Sequence, residues 1–213
     1  MRYQIPFLYM YLLITLFNSF KCNSPIFSDI MAATKLNLIV AVCETNGIGI
    51  EGRLPWRLKQ DMAFFKKITM QTKDEHKSNM LIMGKNTWNS IPAKFRPLPG
   101  RENVVLSNTL TEAPPGARLA SSLREAVRLA ESNTNIENVF IIGGASVYRA
   151  AVESEWPCRL YVTRIHKQFE CDTFFDIEFD DSSVFTKINV EDIPEHEHIE
   201  GEVAFTFEVY EKK

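Results

Sequence analysis

Leu36-Asn37-Leu38-Ile39-Val40-Ala41-Val42 runs directly into Cys43-Glu44-Thr45-Asn46-Gly47-Ile48-Gly49-Ile50-Glu51-Gly52-Arg53-Leu54-Pro55-Trp56. The first seven residues form a nearly continuous apolar run of strand length, as expected of a strand buried on both faces. The loop behind that run decides between two folds. Gly47-Ile48-Gly49-Ile50-Glu51-Gly52 is a literal G-x-G-x-x-G after a strand, the fingerprint of a doubly wound dinucleotide-binding sheet. That fingerprint works only where the glycines open a helix, so that a pyrophosphate meets free N–H groups. Here Pro55 holds Leu54 extended, and no ribose-binding acid closes a second strand some twenty residues on. The loop reads instead as a glycine-hinged cover over a site.

Outward from that loop, short apolar runs alternate with helical stretches. Strands are expected at 36–42, 79–83, 103–106, 139–142, 160–165, 184–190 and 203–211, and helices at 57–68, 86–90, 123–131 and 146–152. After the last helix only strands remain, and the final one alternates as Ala204-Phe205-Thr206-Phe207-Glu208-Val209-Tyr210. The expected fold class is α/β: a single domain with a mostly parallel central β-sheet, an antiparallel C-terminal edge strand and flanking helices.

Composition agrees with one sizeable core. The 213 residues are 45% hydrophobic and 24% charged, which excludes a disordered chain or a disulfide-stapled mini-protein. A domain of this length hides roughly 70% of its unfolded surface, so it can close a core unaided. A net charge of −3 without a basic block argues against nucleic acid or an anionic membrane as the main partner.

Residues 1–30 read apart from the rest. Positions 5–17 carry no charge and come after Arg2, a signal-like stretch shorter than the ~20 residues of a membrane span. Asn18-Ser19-Phe20-Lys21-Cys22 lacks the small-x-small cleavage pattern, and Met31-Ala32-Ala33-Thr34 offers a second start. The expected division is therefore 1–30 as a signal-like or spurious extension and 31–213 as the folded domain. Setting aside Arg2, Lys21 and Asp29 moves the net charge from −3 to −4. Cys43, Cys158 and Cys171 are odd in number and not closely spaced, which suits free thiols in a reducing cytoplasm; the extension leaves secretory or organellar targeting open. His196 and His198, in Pro-Glu-His-Glu-His-Ile-Glu, read as a solvated loop, and no metal is expected.

Two strand-to-helix junctions could cradle anions. Phe140-Ile141-Ile142-Gly143-Gly144-Ala145-Ser146-Val147-Tyr148 lets a ligand approach the backbone at a helix start, and Met83-Gly84-Lys85-Asn86-Thr87-Trp88 repeats the arrangement with a lysine and a hydroxyl. Two such sites on one sheet suit a dinucleotide with a pyrophosphate and an extra phosphate, although each alone also reads as an ordinary glycine turn. Asp61 is the most informative single residue. At ~100° per residue it falls inside the apolar stripe of its helix, with Leu58, Met62, Phe65 and Ile68. An acid there must pair, protonate, serve a ligand or reach water at the edge of the stripe.

Ile39-Val40-Ala41-Val42, Asn46-Gly47-Ile48-Gly49, Leu54-Pro55-Trp56, Asp61 with Phe64-Phe65, Met83-Gly84-Lys85-x-Thr87-Trp88, Arg96-Pro97-Leu98-Pro99-Gly100-Arg101, Ile142-Gly143-Gly144-x-x-Val147-Tyr148 and Tyr161-Val162-Thr163-Arg164 together resemble dihydrofolate reductase. Any one is weak, but the ordered set is specific, and the likeness runs from about Leu36 to Phe207-Glu208-Val209-Tyr210. The resemblance implies a reductase domain at 31–213 that uses NADPH to reduce 7,8-dihydrofolate to tetrahydrofolate for one-carbon metabolism, as a monomer.

It also implies roles. Asp61, Trp56 and Thr163 would be catalytic: Asp61 would bond the pterin 2-amino group and N3 and promote protonation of N5 through water, Thr163 would support it, and Trp56 would wall off the ring. Ile39, Phe64, Phe65, Ile91, Phe95 and Ile142 would line the substrate slot with Asp61, and Arg101 would clamp the α-carboxylate of the glutamate tail. Ala41 and the loop Gly47, Ile48, Gly49, Ile50, Glu51, Gly52, Arg53 would cover the nicotinamide. Gly143, Gly144, Ala145, Ser146, Val147 and Tyr148 would receive the pyrophosphate side. Lys85, Asn86, Thr87, Ser107 and Asn108 would face the adenosine end, with Lys85 nearest the 2′-phosphate.

There are departures from the family pattern. Asn108 and Ser121 stand where vertebrate members often carry basic residues, Phe95 replaces a frequent polar residue, and the segment after Trp56 is one residue shorter. Two other readings remain at this level. The pyrimidine reductase of riboflavin synthesis shares the fold and the glycine pair, but Leu-Pro-Trp, the helix acid and Arg101 argue against it. An inactive folate or dinucleotide binder is disfavoured by the intact acid, clamp and phosphate turns.

Overall fold

The computed structural model describes residues 34–213; the signal-like stretch and the Met31 start lie outside the described residues. The strands are β1 (Leu36–Val42), β2 (Gly47–Gly49), β3 (Ser78–Gly84), β4 (Arg101–Leu106), β5 (Arg118–Ala120), β6 (Ile136–Ile141), β7 (Cys158–Ile165), β8 (Thr173–Phe174), β9 (Phe185–Ile188), β10 (His198–Glu200) and β11 (Val203–Lys212). The helices are α1 (Lys59–Met70), α2 (Lys85–Ser90), α3 (Leu123–Glu131) and α4 (Ala145–Val152). None of the described helices is long and apolar enough to cross a membrane.

The main sheet runs β10-β11-β7-β1-β6-β3-β4-β5, with β9 also paired to β11. From β7 to β5 every pairing is parallel. The far edge is antiparallel, as expected: β11 lies against β7 and carries β9 and β10 on its outer side.

Strand alternation sorts β1 between two cores. Leu36, Leu38, Val40 and Val42 point to the face covered by α3 and α4, where Ala126, Val127, Val147, Tyr148 and Ala151 pack. Ile39, Ala41 and Cys43 point to the face covered by α1 and α2, with Trp56, Phe64, Ile68 and Trp88. Tyr161 and Ile165 of β7 join this second core, so Thr163 between them faces the same way.

Three expectations change. First, α1 starts two residues later than the periodicity suggests. Leu58 at its N-cap is extended (φ −112°, ψ 114°) and offers no capping side chain. The free N–H groups of Lys59 and Gln60 instead donate to the Glu200 carboxylate, at 2.8 and 3.0 Å. Second, the acidic His196–His198 run is not wholly a solvated loop: His198 begins β10 and stacks on Phe205 at 5.5 Å. Its polar residues gave no local sign of a strand because pairing with β11 supplies the order. Third, Met62 does not join the apolar face of α1 and is 51% exposed.

Candidate active site

Asp61 lies in the first turn of α1, buried under the helix against β7. Thr163 Oγ1 donates to its Oδ1 at 2.7 Å, a bond buried on both sides. Burial pushes the Asp61 carboxyl up to about 6; the Thr163 bond works the other way, and the Glu200 charge adds to the rise. The result is a carboxyl group that changes protonation near neutral pH inside an apolar wall, the setting of an acid kept ready to share a proton.

The wall itself is made by the second core. Ile39, Trp56 and Phe64 are buried in it, and Ala41, Phe65, Ile91 and Ile142 pack against it half-exposed. Trp56 meets Phe169 edge-on at 5.4 Å. Its Nε1–H is buried with no acceptor among the described residues, which fits an oxygen of a ligand or water beside the site. Phe64 stacks on Phe207 at 3.9 Å between ring centres and is buried in the core, while Phe65 next to it is partly exposed. Met62, next to Asp61 in the chain, is half-exposed, although the helical pattern placed it in the apolar stripe. Phe95 is not brought to this group: it is 54% exposed on the 3₁₀ turn Ala93–Phe95, with the Lys94 ammonium over its ring.

Arg101 opens β4 beside the end of α1. Its Nη1 donates to Thr69 Oγ1 at 2.7 Å and its Nε to Pro99 O at 3.1 Å, which leaves part of the fork free, and no carboxylate pairs with it among the described residues. Half-burial without an acidic partner lowers its basicity from the usual arginine range. Asn103 braces the turn that carries it, bonding Leu98 N, Leu98 O and Arg101 O.

The glycine loop has the geometry of a hairpin and not of a helix start. Ile50 and Arg53 exchange backbone bonds at 2.9 Å, and Gly47 and Gly49 pair with Phe174 and Thr173 of β8. Asp172 fastens the tip, its Oδ2 accepting from Glu51 N at 2.7 Å and its own N–H donating to Gly49 O. The doubly wound reading of G-x-G-x-x-G is thereby excluded by structure.

The two anion cradles abut. Gly84 N donates to Gly143 O at 2.8 Å, and Thr87 Oγ1 lies where it would meet a Cβ on either Gly143 or Gly144, at 3.3 and 3.4 Å. Gly143 has φ +116°, outside the range of other residues. These glycines keep side chains away from the uncapped start of α4, a shape that admits a phosphate group and would be filled by any Cβ. Tyr148 does not present its hydroxyl there: the buried phenol donates to Ile39 O at 2.7 Å and ties α4 to β1, its ionisation pushed far up by burial.

At the other end, Lys85 Nζ donates to Thr109 Oγ1 at 3.2 Å and has no acidic partner among the described residues. The Ser107 hydroxyl holds the adjoining turn by accepting from Thr109 N and Leu110 N, while Asn86 and Asn108 are exposed. Thr109 was not legible as a site residue; only the turn brings it to Lys85. Ser121, whose side chain and N–H both bond Glu125, serves the start of α3.

Comparison with known proteins places this arrangement among similar ones. A family model described as dihydrofolate reductase matches residues 35–212. The chain is similar to the dihydrofolate reductase of Heliothis virescens, 41% identical over 186 residues that cover 85% of this chain and all of that protein. It is 44% identical to that of Gallus gallus, over 83% of this chain and 96% of the other. Among solved structures, Schistosoma mansoni dihydrofolate reductase superposes with a TM-score of 0.74 at 39% identity, covering 84% of this chain and 98% of that one.

Proposed function

Because the chain belongs to the dihydrofolate reductase family, we propose that the buried Asp61–Thr163 pair is the proton-handling centre of its reaction. The protein is an NADPH-dependent oxidoreductase that reduces 7,8-dihydrofolate to 5,6,7,8-tetrahydrofolate. Bound NADPH supplies the hydride that C6 of the pterin accepts.

The protein's own task is to protonate N5, a weak base, without flooding the site with water. The observation that carries the reading is a single carboxyl raised to about 6, buried between α1 and β7 and held by one hydroxyl. Asp61 would bind the 2-amino group and N3 edge-on, orient the ring, and keep a proton available toward N5 through water. Thr163 fixes the rotamer of the carboxylate. Trp56, Ile39 and Phe65 would exclude solvent from the ring.

Arg101 would take the α-carboxylate of the glutamate tail with the part of its fork that Thr69 and Pro99 leave free. The pyrophosphate would lie over Gly143 and Gly144 at the start of α4, with Thr87 beside it, and Lys85 with Thr109 would face the 2′-phosphate. The hairpin 47–53, with Ala41, would cover the nicotinamide. Replacing Asp61 by Asn and monitoring NADPH oxidation with dihydrofolate tests the central assignment: turnover at neutral pH should fall while NADPH binding persists.

The same reading takes 31–213 as the catalytic domain, supported by a family match that begins at residue 35. A chain started at Met31 should keep full turnover. It also makes the enzyme a cytoplasmic monomer. Free Cys43, Cys158 and Cys171 suit a reducing compartment, and the three-residue edge strands β5 and β10 offer little to pair with a second sheet. Sedimentation and cell fractionation test these two points.

A further inference from the structure

Cys43 and Cys171, 128 positions apart in the chain, meet at Gly47. A Cβ on Gly47 would sit 2.3 Å from Cys171 Sγ and 3.0 Å from Cys43 Sγ, so both sulfurs press on one point and can be no further apart than those two distances together. We propose that Cys43 and Cys171 are a dithiol modification site, which a low-molecular-weight disulfide converts into an intrachain disulfide that restrains the hairpin 47–53.

The two thiols differ in the ways such a step requires. Cys171 is partly exposed and therefore reachable, whereas Cys43 is buried. Burial pushes the Cys43 thiol up, but hydrogen bonds from Thr45 and from backbone amides outweigh it and hold it below the ordinary value, which suits a resolving nucleophile. Cys171 is pushed up by burial and by Cys43 beside it. The third described thiol, Cys158, is buried in the opposite core and raised to about 11, so it serves as an inert internal comparison.

The chemistry balances with oxidised glutathione as the oxidant. The Cys171 thiolate attacks one sulfur of glutathione disulfide, forming a mixed disulfide and expelling one glutathione thiolate. The Cys43 thiolate then attacks the Cys171 sulfur and expels the second. The two thiol protons end on the two glutathiones, so two protein thiols are oxidised as one glutathione disulfide is reduced.

The two sulfurs sit where the hairpin is mounted. Cys43 directly succeeds β1, and Cys171 precedes Asp172, which fastens Gly49 and Glu51 at the tip of the hairpin. Joining the sulfurs at the ~2.05 Å of a disulfide draws that anchor toward the sheet across Gly47. The effect on the cofactor rests on the reading of 47–53 as the nicotinamide cover; the formation of the bond does not.

The test equilibrates the full-length protein with oxidised and reduced glutathione, blocks remaining thiols, and digests with trypsin. A cross-link between peptides 36–53 and 168–187, cleared by dithiothreitol, is expected, together with NADPH dissociation several-fold slower in the oxidised protein. Cys171→Ser should keep the basal turnover and lose the response. Failure to find the cross-link, with Cys171 carrying only glutathione, overturns the proposal. A cross-link that leaves NADPH dissociation unchanged upholds the dithiol and overturns the placement of the hairpin over the nicotinamide.

Discussion

Asp61→Asn should lower turnover and raise stability together. With the carboxyl at about 6, roughly a tenth of the molecules hold a proton on Asp61 at pH 7; at the ordinary 3.8 the fraction would be below about a thousandth. The structure thus supplies on the order of a hundredfold more of the protonated form at neutral pH. Asparagine cannot exchange that proton, and turnover at pH 7 should fall by about 10²–10⁴-fold, the range of a positioned acid. The stability effect has the opposite sign. A carboxyl raised in the folded state contributes stability that is fully present below its unfolded value near 3.8 and is lost as pH rises through about 6. Above pH 6 the ionised Asp61 is therefore a buried cost of about 3 kcal/mol, from some two pKa units at 1.36 kcal/mol each. Asparagine removes the charge and keeps an oxygen to accept from Thr163, so the melting temperature at pH 7 should rise by several degrees. The assay pairs single-turnover NADPH absorbance from pH 5 to 9 with thermal unfolding at each pH. The wild-type hydride step should fall about tenfold per unit above pH 6, and the variant should lose that break. A variant that is both inactive and less stable would refute the reasoning, since it would make Asp61 a structural group; so would turnover within tenfold of wild type.

Other perturbations test the remaining parts. Thr163→Val removes the bond that favours the ionised carboxylate, so the break in the pH profile should move up by about one unit, readable from the same titration. Arg101→Lys keeps the charge but loses the fork, and should raise KM for dihydrofolate about 10–100-fold with kcat little changed, while a pterin lacking the glutamate tail is unaffected. Lys85→Ala should raise KM for NADPH and leave that for NADH unchanged, since only NADPH carries the 2′-phosphate. Gly47→Ala should destabilise the fold by about 1–3 kcal/mol in denaturant unfolding, because its methyl would overlap both Sγ and Cβ of Cys171. Cys171→Ser should not rescue it, since the Cβ clash at 2.6 Å remains, whereas Cys171→Gly should.

The elements that were legible are those whose burial is periodic in the chain. β1 matches its expected span, and β3, β4, β6 and β7 differ by a few residues at their ends, because strands buried on both faces must be apolar along their length; β11 was legible by its alternation instead and runs one residue longer than expected. Asp61 stood out for the same reason, as the acid in an apolar stripe. Thr163 carried no such signal of its own, since a threonine in a β-rich run is ordinary. The short strands β2, β5, β8 and β10 were not legible, because two or three residues hold too little pattern and their order comes from their partners.

What the chain alone determined is the class of fold and the chemical types of the site: a buried acid, two glycine turns, an arginine after a proline-rich turn. These are local facts of periodicity and residue type, which exist before folding. What only the tertiary structure decided is which of them meet and in what electrical setting. The 2.7 Å bond from Thr163, the Glu200 carboxylate at the start of α1, the Thr87 hydroxyl between two turns and the paired sulfurs at Gly47 all join residues distant in sequence or in different elements. Burial is set by everything that packs around a group, so the rise of Asp61 to about 6 exists only once β7 and α1 close over it.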